Sequence, residues 1–291
     1  IATIAMLVLL LLVGLAQGAD RISFDFGPFN LQPAELAKFS TMLLLAAFLA
    51  EERTDEVSYP RFVGGLILVG FPAVLVIIQP DLGSASVLVA LAMGTLLIAG
   101  ARPKYIVAVS VLAVMTVLAA FIARLVNEYQ VQRLKVFLDQ ETTDPGLQDA
   151  VYQVRNAIRA VGTGGLWGKG WLEGPLTNGR DIPVMWADFP FAAVAEQFGL
   201  VGCLILISLF MVVLARIWRV ASLSKDALGT YICAGVFTMV LWQMFQNIGM
   251  TLGITPVTGL PMPFISYGGS SLIVYCAMFG LVQSVYMRRM R

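Results

Sequence analysis

The sequence predicts an all-α polytopic membrane protein with about eight transmembrane helices. Of its 291 residues, 58% are hydrophobic and only 13% are charged, and the mean hydropathy is +0.83. No single water-soluble domain needs so much apolar surface. The apolar residues are grouped into runs, and a membrane-spanning helix needs about 20 of them in succession. These runs lie near 1–16, 31–50, 62–79, 82–100, 105–126, 189–217, 228–252 and 270–287.

Composition excludes several classes of function. The net charge of +1 provides no basic stripe to neutralise phosphates, which argues against a nucleic-acid partner. The absence of histidine excludes a histidine general base, a serine–histidine hydrolase site and the usual imidazole zinc sites. Cys203, Cys233 and Cys276 lie in apolar runs without CxxC spacing, so we expect buried free thiols.

The first run opens without an initiator Met or a charged n-region, which is typical of a truncated start rather than a signal peptide. Only Gln79-Pro80-Asp81 separates the third run from the fourth, which predicts a tight hairpin or a broken helix.

The short connections between the runs predict the orientation of the chain in the membrane. Because basic short connections are cytoplasmic, we expect a cytoplasmic C-terminus and an external segment 127–188. The basic residues on the predicted cytoplasmic side are Arg53, Arg61, Arg102, Lys104, Arg216, Arg219, Lys225, Arg288, Arg289 and Arg291.

The external segment contains a predicted amphipathic helix and a glycine-rich run. Leu147, Val151, Val154, Ile158 and Val161 recur at helical spacing, so the helix should lie on the membrane surface or over the mouth of the helices. Residues 162–170 follow, with five glycines and Lys169. Their spacing is not that of a Walker motif, and the run is either an ordinary surface loop or a phosphate cradle.

Charges in or beside apolar runs are costly unless they are paired or hydrated. Glu35 and Lys38 are three residues apart, so they either neutralise each other or snorkel to the interface. Asp81 is a helix N-cap or a functional carboxylate.

Asp188 directly precedes an apolar run and is the strongest candidate for a chemical role. It is either an N-cap or a general base, and the apolar neighbours Trp186, Phe189 and Phe191 would raise the pKa of its carboxyl. Glu196 lies two turns further on the same helix face, and we expect it to pair with a Lys or Arg.

Residues 247–271 place three prolines and several glycines beside apolar sequence. Pro256, Pro261 and Pro263 each lack a backbone donor. Irregular backbone near membrane depth persists only where protein or a water-filled cavity satisfies its polar groups. The pattern therefore predicts a structured, polar-lined element instead of a plain loop.

This stretch resembles the signature of the SEDS family (shape, elongation, division and sporulation; the FtsW/RodA proteins). The signature comprises Asn247, Pro256-Val-Thr-Gly259-Leu-Pro261 and Ser266-Tyr-Gly268-Gly269-Ser270-Ser271. The further matches, in order, are Arg21, Gln32-Pro33-Ala-Glu35-Leu-Ala-Lys38, Gln79-Pro80-Asp81-Leu-Gly83, Arg133 to Asp139, Gly164 to Gly170, Asp188-Phe189 and Ala195 to Gly202.

The resemblance implies a ten-helix fold of which this chain lacks the first two helices, with one single domain over 1–291. It implies a multi-pass protein of the bacterial cytoplasmic membrane that polymerises lipid II on the external face. The implied partner is a class B penicillin-binding protein that acts as transpeptidase. The sequence Gly168-Lys169-Gly170-Trp171-Leu172 resembles the rod-shape branch more than the division branch.

The resemblance also implies roles for individual residues. Asp188 is the implied catalytic base. The pyrophosphate-binding candidates are Arg21, Gln32, Lys38, Lys169, Ser266, Gly268, Gly269 and Ser270. The structural or charge-pair candidates are Glu35, Glu196, Asn247, Pro256 and Pro261. A divalent cation, Mg²⁺ or Mn²⁺, would be held by Asp81 or Glu35.

The chain departs from the family pattern beside Asp188. Val184 replaces a glutamate, Ala187 replaces a threonine, and Pro190 enters the first turn of the helix. Partners that orient the aspartate are therefore expected to differ. Two other functions stay open: a lipid II flippase, suggested by the broken helices, and a non-catalytic scaffold for the transpeptidase.

Overall fold

The computed structural model describes residues 2–17, 23–25, 30–52, 56–122, 128–140, 144–179 and 185–288. The helices are α1 (Ala2–Gln17), α2 (Pro33–Ala50), α3 (Tyr59–Ile78), α4 (Leu82–Ile98), α5 (Pro103–Ile122), α6 (Glu128–Leu138), α7 (Gln148–Gly164), α8 (Pro175–Asn178), α9 (Met185–Asp188), α10 (Pro190–Ser222), α11 (Ala227–Thr251) and α12 (Gly269–Arg288). A 3-10 turn covers Pro145–Leu147. The strands β1 (Phe24–Asp25) and β2 (Asn30–Leu31) form a two-residue antiparallel pair, which the sequence did not predict.

The predicted helical membrane architecture is confirmed. Within the described residues, α2, α3, α10, α11 and α12 are long and apolar enough to cross a membrane. Three shorter apolar stretches, Ala2–Val13, Leu82–Ile98 and Pro103–Thr116, account for the other predicted runs. Arg21, Arg53, Val184, Arg289 and Arg291 lie outside the described residues, as does much of the connection before β2.

The chain divides into two compact units. The helix unit contains Ile1–Leu125, Leu214–Trp242 and Gly269–Arg291, and the loop unit contains Val126–Val213 and Gln243–Gly268. The helices α10 and α11 each have one end in the helix unit and the other end in the loop unit.

Close helix packing defines the helix unit. The α3–α4 connection is a hairpin, so of the two predicted alternatives the broken helix is wrong. A Cβ on Gly94 of α4 would lie 2.3 Å from Thr238 Oγ1 of α11, and one on Gly235 would lie 2.6 Å from Met42 Cγ of α2. These contacts need glycine because small residues let membrane helices approach closely.

The core of the loop unit forms on one face of α7. Leu147, Val151 and Val154 are buried with Val136 of α6, and Ala157 and Ala160 pack with Phe189, Ala192 and Met250. The predicted amphipathic helix is therefore present, with Arg155 and Arg159 exposed on its other face. Its expected position at the membrane surface stays a prediction.

The cysteines differ from one another in burial. Cys203 and Cys233 are buried free thiols as expected, whereas Cys276 is exposed on α12, so that part of the expectation is wrong. A membrane helix can be apolar all round because lipid accepts the same side chains as a protein core. Apolar sequence around a cysteine therefore does not determine which way it faces.

Candidate functional site

The helix unit contains a buried polar cluster at the start of α2. Lys38 Nζ lies 2.6 Å from Glu35 Oε1, and Lys38 and Glu35 are 0% and 1% exposed. The predicted pair is thus present, and interfacial snorkelling is wrong because the ammonium does not reach the surface. Glu35 Oε2 is buried without a hydrogen-bond partner in the described part of the chain.

Gln32 connects three neighbouring elements of the helix unit. Its side-chain Nε2 donates to Asp81 Oδ2 at 3.1 Å, and its backbone N–H donates to Ser270 Oγ at 3.2 Å. Ser270 Oγ in turn donates to the Asn30 carbonyl. Three predicted site residues, Gln32, Asp81 and Ser270, are therefore brought together where α2, α4 and α12 begin.

Asp81 is an N-cap, as one of the two predicted alternatives proposed. Its Oδ1 accepts the Ser84 N–H at 2.9 Å, and Oδ2 accepts from Gln32. Within the described ranges, no three His, Cys, Asp or Glu side chains are placed to hold a metal ion. Both oxygens of Asp81 have partners, whereas Glu35 has one paired oxygen and one without a partner in the described residues, so the divalent cation stays a prediction.

Asp188 lies in the loop unit at the end of α9, two residues before α10 begins. Its carboxyl is half-buried, while its neighbour Phe189 is only 1% exposed and anchors this corner in the core. Within the described residues the carboxylate accepts no backbone hydrogen bond, so the N-cap alternative is not realised. Burial raises the pKa of the Asp188 carboxyl above its usual range, and the positive charge of Arg133 partly offsets this.

Arg133 of α6 is a site residue that the sequence reasoning did not select. Its Nη1 donates to the Val257 carbonyl at 3.0 Å. A Cβ on Gly259 would lie 3.9 Å from Asp188 Oδ2 and from both terminal nitrogens of Arg133. Gly259 therefore lies within van der Waals reach of both the carboxylate and the guanidinium, and its φ of +68° favours glycine. The position of Arg133 within the matched 133–139 stretch was the only available signal.

Asn247 holds the backbone at Asp188. Its Nδ2 donates to the Asp188 carbonyl and to the Leu260 carbonyl, each at 2.9 Å. Asn247 is 0% exposed, and its Oδ1 has no hydrogen-bond partner among the described residues. One buried amide thus joins α11, the residue of chemical interest and the proline-containing segment.

The segment after α11 is structured, as predicted. Pro256 and Pro261 contribute no backbone donors, and the carbonyls of Val257 and Leu260 are satisfied by the side chains of Arg133 and Asn247. Tyr267 N–H then donates to the Trp186 carbonyl at 2.8 Å, which attaches the far end of the segment to α9. Ser266 Oγ accepts the Met262 N–H at 2.8 Å and closes a turn within the segment.

The glycine-rich run, residues 162–170, is hydrogen-bonded to α10 at a point where that helix is interrupted. Gly199 has non-helical dihedrals, φ 66° and ψ −163°, inside an otherwise continuous helix. The N–H groups of Leu200 and Val201 donate to the carbonyls of Gly165 and Leu166. In return, the carbonyls of Glu196 and Gln197 accept the N–H groups of Lys169 and Gly170. We call this reciprocal exchange the splice.

The side chain of Glu196 adds hydrogen bonds beside the splice. It accepts hydrogen bonds from the N–H groups of Leu176 and Thr177, at 3.0 and 2.7 Å, and from the Thr177 hydroxyl. Within the described residues no Lys or Arg pairs with Glu196, so the predicted charge pair stays a prediction. The first N–H groups of α8 satisfy this buried carboxylate, as the start of a helix can satisfy any anion.

Lys169 is exposed, and the described residues show no ion pair between it and Asp188. Of the other predicted ligands, Gly269 begins α12, and Gly268 immediately precedes it. Arg21 lies outside the described residues.

The whole chain, residues 1–291, matches the FtsW/RodA/SpoVE profile, described as a cell cycle protein family. It is 36% identical over 275 residues to "Peptidoglycan glycosyltransferase MrdB" of Escherichia coli K12, covering 94% of this chain and 73% of that protein. A chain from the structure "Structural coordination of polymerization and crosslinking by a peptidoglycan synthase complex" matches with a TM-score of 0.78. It is 28% identical, with 99% of this chain and 79% of that chain covered.

The crystal structure of the rod shape determining protein RodA of Thermus thermophilus matches with a TM-score of 0.66 and 28% identity. That match covers 100% of this chain and 77% of the RodA chain. The resemblance drawn from the signature residues is thus confirmed over the full length of the sequence. The chain belongs to the FtsW/RodA/SpoVE family of polytopic membrane proteins.

Proposed function

We propose that this chain is a peptidoglycan glycosyltransferase that polymerises lipid II and supports cell-wall synthesis and cell shape. The names of its relatives support the reaction class. The observation that carries the proposal is the setting of Asp188. Its carboxyl is half-buried, its pKa is raised by that burial, its backbone is fixed by Asn247, and the Arg133 guanidinium lies near it beside Gly259.

The reaction requires one base and one leaving group. The acceptor sugar hydroxyl gives its proton to Asp188 as its oxygen bonds to the anomeric carbon of the donor. As that bond forms, the bond between the same carbon and the undecaprenyl pyrophosphate breaks, and the pyrophosphate leaves with the bonding electrons. A general base acts best when its pKa lies near the operating pH, so the raised pKa suits Asp188 to this role. One displacement with inversion needs no covalent enzyme intermediate.

The leaving pyrophosphate requires positive charge within the same substrate site. Arg133 supplies a guanidinium beside Asp188, and such groups bind phosphate oxygens in a bidentate manner. Lys169 offers an exposed ammonium in the same unit. A divalent cation bound to the substrate pyrophosphate would add further positive charge, and it would not need Asp81, whose two oxygens already accept hydrogen bonds.

A polymerisation assay tests the proposal. Purified protein is given fluorescent lipid II, and the products are separated on a gel for the wild type, Asp188→Asn and Glu173→Gln. Glu173 is an exposed carboxylate of the same unit and is the matched control. We expect polymer from the wild type and Glu173→Gln, and a loss of at least about 100-fold in Asp188→Asn. Equal polymer from all three proteins would show that Asp188 is not the base.

The membrane orientation and the partner belong to the same proposal. The basic connections favour a cytoplasmic C-terminus, an external loop unit and a cytoplasmic-membrane location. The neighbour in a peptidoglycan synthase complex favours a class B penicillin-binding protein as partner. Impermeant labelling of a cysteine at position 173 or 288 in intact cells reports the sidedness. Co-purification with the transpeptidase reports the complex.

The structure no longer favours the flippase alternative. It rested on broken helices at Gln79–Asp81 and Pro256–Gly269, but the first region is a hairpin, and side chains of the protein bind the carbonyls of Val257 and Leu260 in the second. Translocation of labelled lipid II into liposomes that persisted in Asp188→Asn would restore it. The scaffold alternative predicts a normal complex and no polymer, so polymer made by this chain alone would exclude it.

A further inference from the structure

Two cationic cavities lie at the ends of α10 and α12, far along the chain from the residues assigned to chemistry. Arg216 and Arg219, one helical turn apart on α10, line the first cavity together with Val220 and with Tyr286 of α12. Its volume is about 100 Å³. Within the described residues, no carboxylate lines this cavity or forms an ion pair with either arginine.

The second cavity, of about 240 Å³, lies where α12 ends and α11 begins. Its charged lining includes Lys225 and Arg288, and Leu228, Ile232 and Val285 line its apolar part. Such a combination of cations beside aliphatic side chains matches the phosphate and glycerol region of a phospholipid.

Asp226 is the acidic residue that lines the second cavity, and its carboxylate is already used. Oδ1 accepts the Gly229 N–H at 2.9 Å and lies 3.3 Å from the Ser224 hydroxyl. It therefore caps the start of α11. The cations that line the two cavities outnumber this one committed carboxylate by four to one.

We propose that the first of these cavities binds the phosphate headgroup of an anionic membrane phospholipid. Arginine forks bind phosphate oxygens in pairs, and a cluster of unpaired cations is stabilised by an anion between them. Both helices that line the first cavity are long and apolar enough to cross the membrane, so their ends meet the headgroup layer. The site is separate from the proposed catalytic residues, and its test does not depend on polymerase activity.

Native mass spectrometry of the purified full chain tests the site, with phosphatidylglycerol, phosphatidylcholine and inorganic phosphate as separate additions. The test variant is Arg216→Gln/Arg219→Gln. The matched control is Arg155→Gln/Arg159→Gln, which removes the same charge from two exposed arginines on α7. Because each cation near an anionic lipid contributes about fivefold in affinity, we expect the test variant to bind phosphatidylglycerol about 30-fold more weakly. The control variant should bind like the wild type.

Several results would overturn the proposal. Equal loss in both double variants would show a general charge effect, and equal binding of phosphatidylcholine would remove the role of the anionic headgroup. Displacement of the lipid by equimolar inorganic phosphate would define a free-anion site instead. If the double variant does not fold, Arg216→Gln and Arg219→Gln are tested singly, and each should weaken binding about fivefold.

Discussion

Each unit contains a carboxylate near a cation, but the two carboxylates differ in burial and in their distance from the cation. In the helix unit, Glu35 and Lys38 form a direct 2.6 Å pair, and neither is more than 1% exposed. In the loop unit, Asp188 is half-buried near Arg133, and Gly259 lies beside both. An enclosed pair is neutral and inaccessible, whereas a half-buried carboxylate retains contact with solvent and with a substrate.

This difference separates structural charges from chemical ones. A charge pair buried in a membrane helix must remain paired, because either partner alone is costly there. A carboxylate with a raised pKa and an exposed side can exchange a proton. Breaking each arrangement should therefore affect different properties of the protein.

The largest effect on stability should come from removing one member of the enclosed pair. Glu35→Gln leaves the Lys38 ammonium buried and uncompensated, and Lys38→Met does the same to the Glu35 carboxylate. Each should lower the free energy of unfolding by about 3–5 kcal/mol, measured by denaturation of the protein in detergent. Glu35→Gln/Lys38→Met should lose less than either single variant. If the double variant regains stability but not polymerase activity, Lys38 has the pyrophosphate role that the sequence suggested. Single variants as stable as the wild type would show that the buried pair does not stabilise the protein.

The next effect should come from the splice. A Cβ on Gly168 would lie 2.1 Å from the Gln197 carbonyl oxygen, and its φ is +81°. Gly168→Ala should therefore lower the free energy of unfolding by at least about 2 kcal/mol. Gly162→Ala is the matched control, because a Cβ on Gly162 would meet nothing within 4 Å. Equal midpoints of thermal denaturation for the two variants would show that the splice is not a close backbone contact.

A smaller effect on stability, with a clear effect on rate, should come from Asn247→Asp. The substitution removes the two donors to the Asp188 and Leu260 carbonyls and retains the size of the side chain. We expect a loss of about 1–3 kcal/mol in stability and about tenfold in kcat, with KM less affected. A variant that lost stability but kept kcat would show that Asn247 supports the fold without positioning Asp188.

The subtlest effect should be a displaced pH profile in Arg133→Gln. Burial raises the pKa of Asp188, and the Arg133 charge lowers it, so removing that charge should raise the pKa further. Since a base acts only when deprotonated, the acid limb of the polymerisation rate should move to higher pH. An unchanged limb with a uniformly lower rate would indicate that Arg133 acts on the substrate alone.

Most helices could be predicted because they follow from apolar length, and α7 could be predicted from the spacing of Leu147, Val151 and Val154. The structured nature of the proline-containing segment followed from the backbone donors it lacks. Its actual partners, Asn247 and Arg133, could not be derived, because a side chain that caps a distant carbonyl leaves no periodic pattern in sequence.

The backbone partners of Glu196 could not be predicted, for a related reason. The break at Gly199 lies inside an apolar run that reads as one continuous helix, so nothing indicated that backbone N–H groups of α8 would reach this carboxylate. The glycines at 164, 165, 168 and 170 carried the only signal. Their meaning depends on contact with a second segment, which spacing alone does not reveal.

The most direct test of the central claim is the pH dependence of lipid II polymerisation by the wild type and by Asp188→Asn. We expect the wild-type rate to fall with acidity through a pKa above that of an ordinary aspartate, and the residual rate of the variant to lack this acid limb. A variant with the same acid limb and a comparable rate would contradict the assignment of Asp188 as the base.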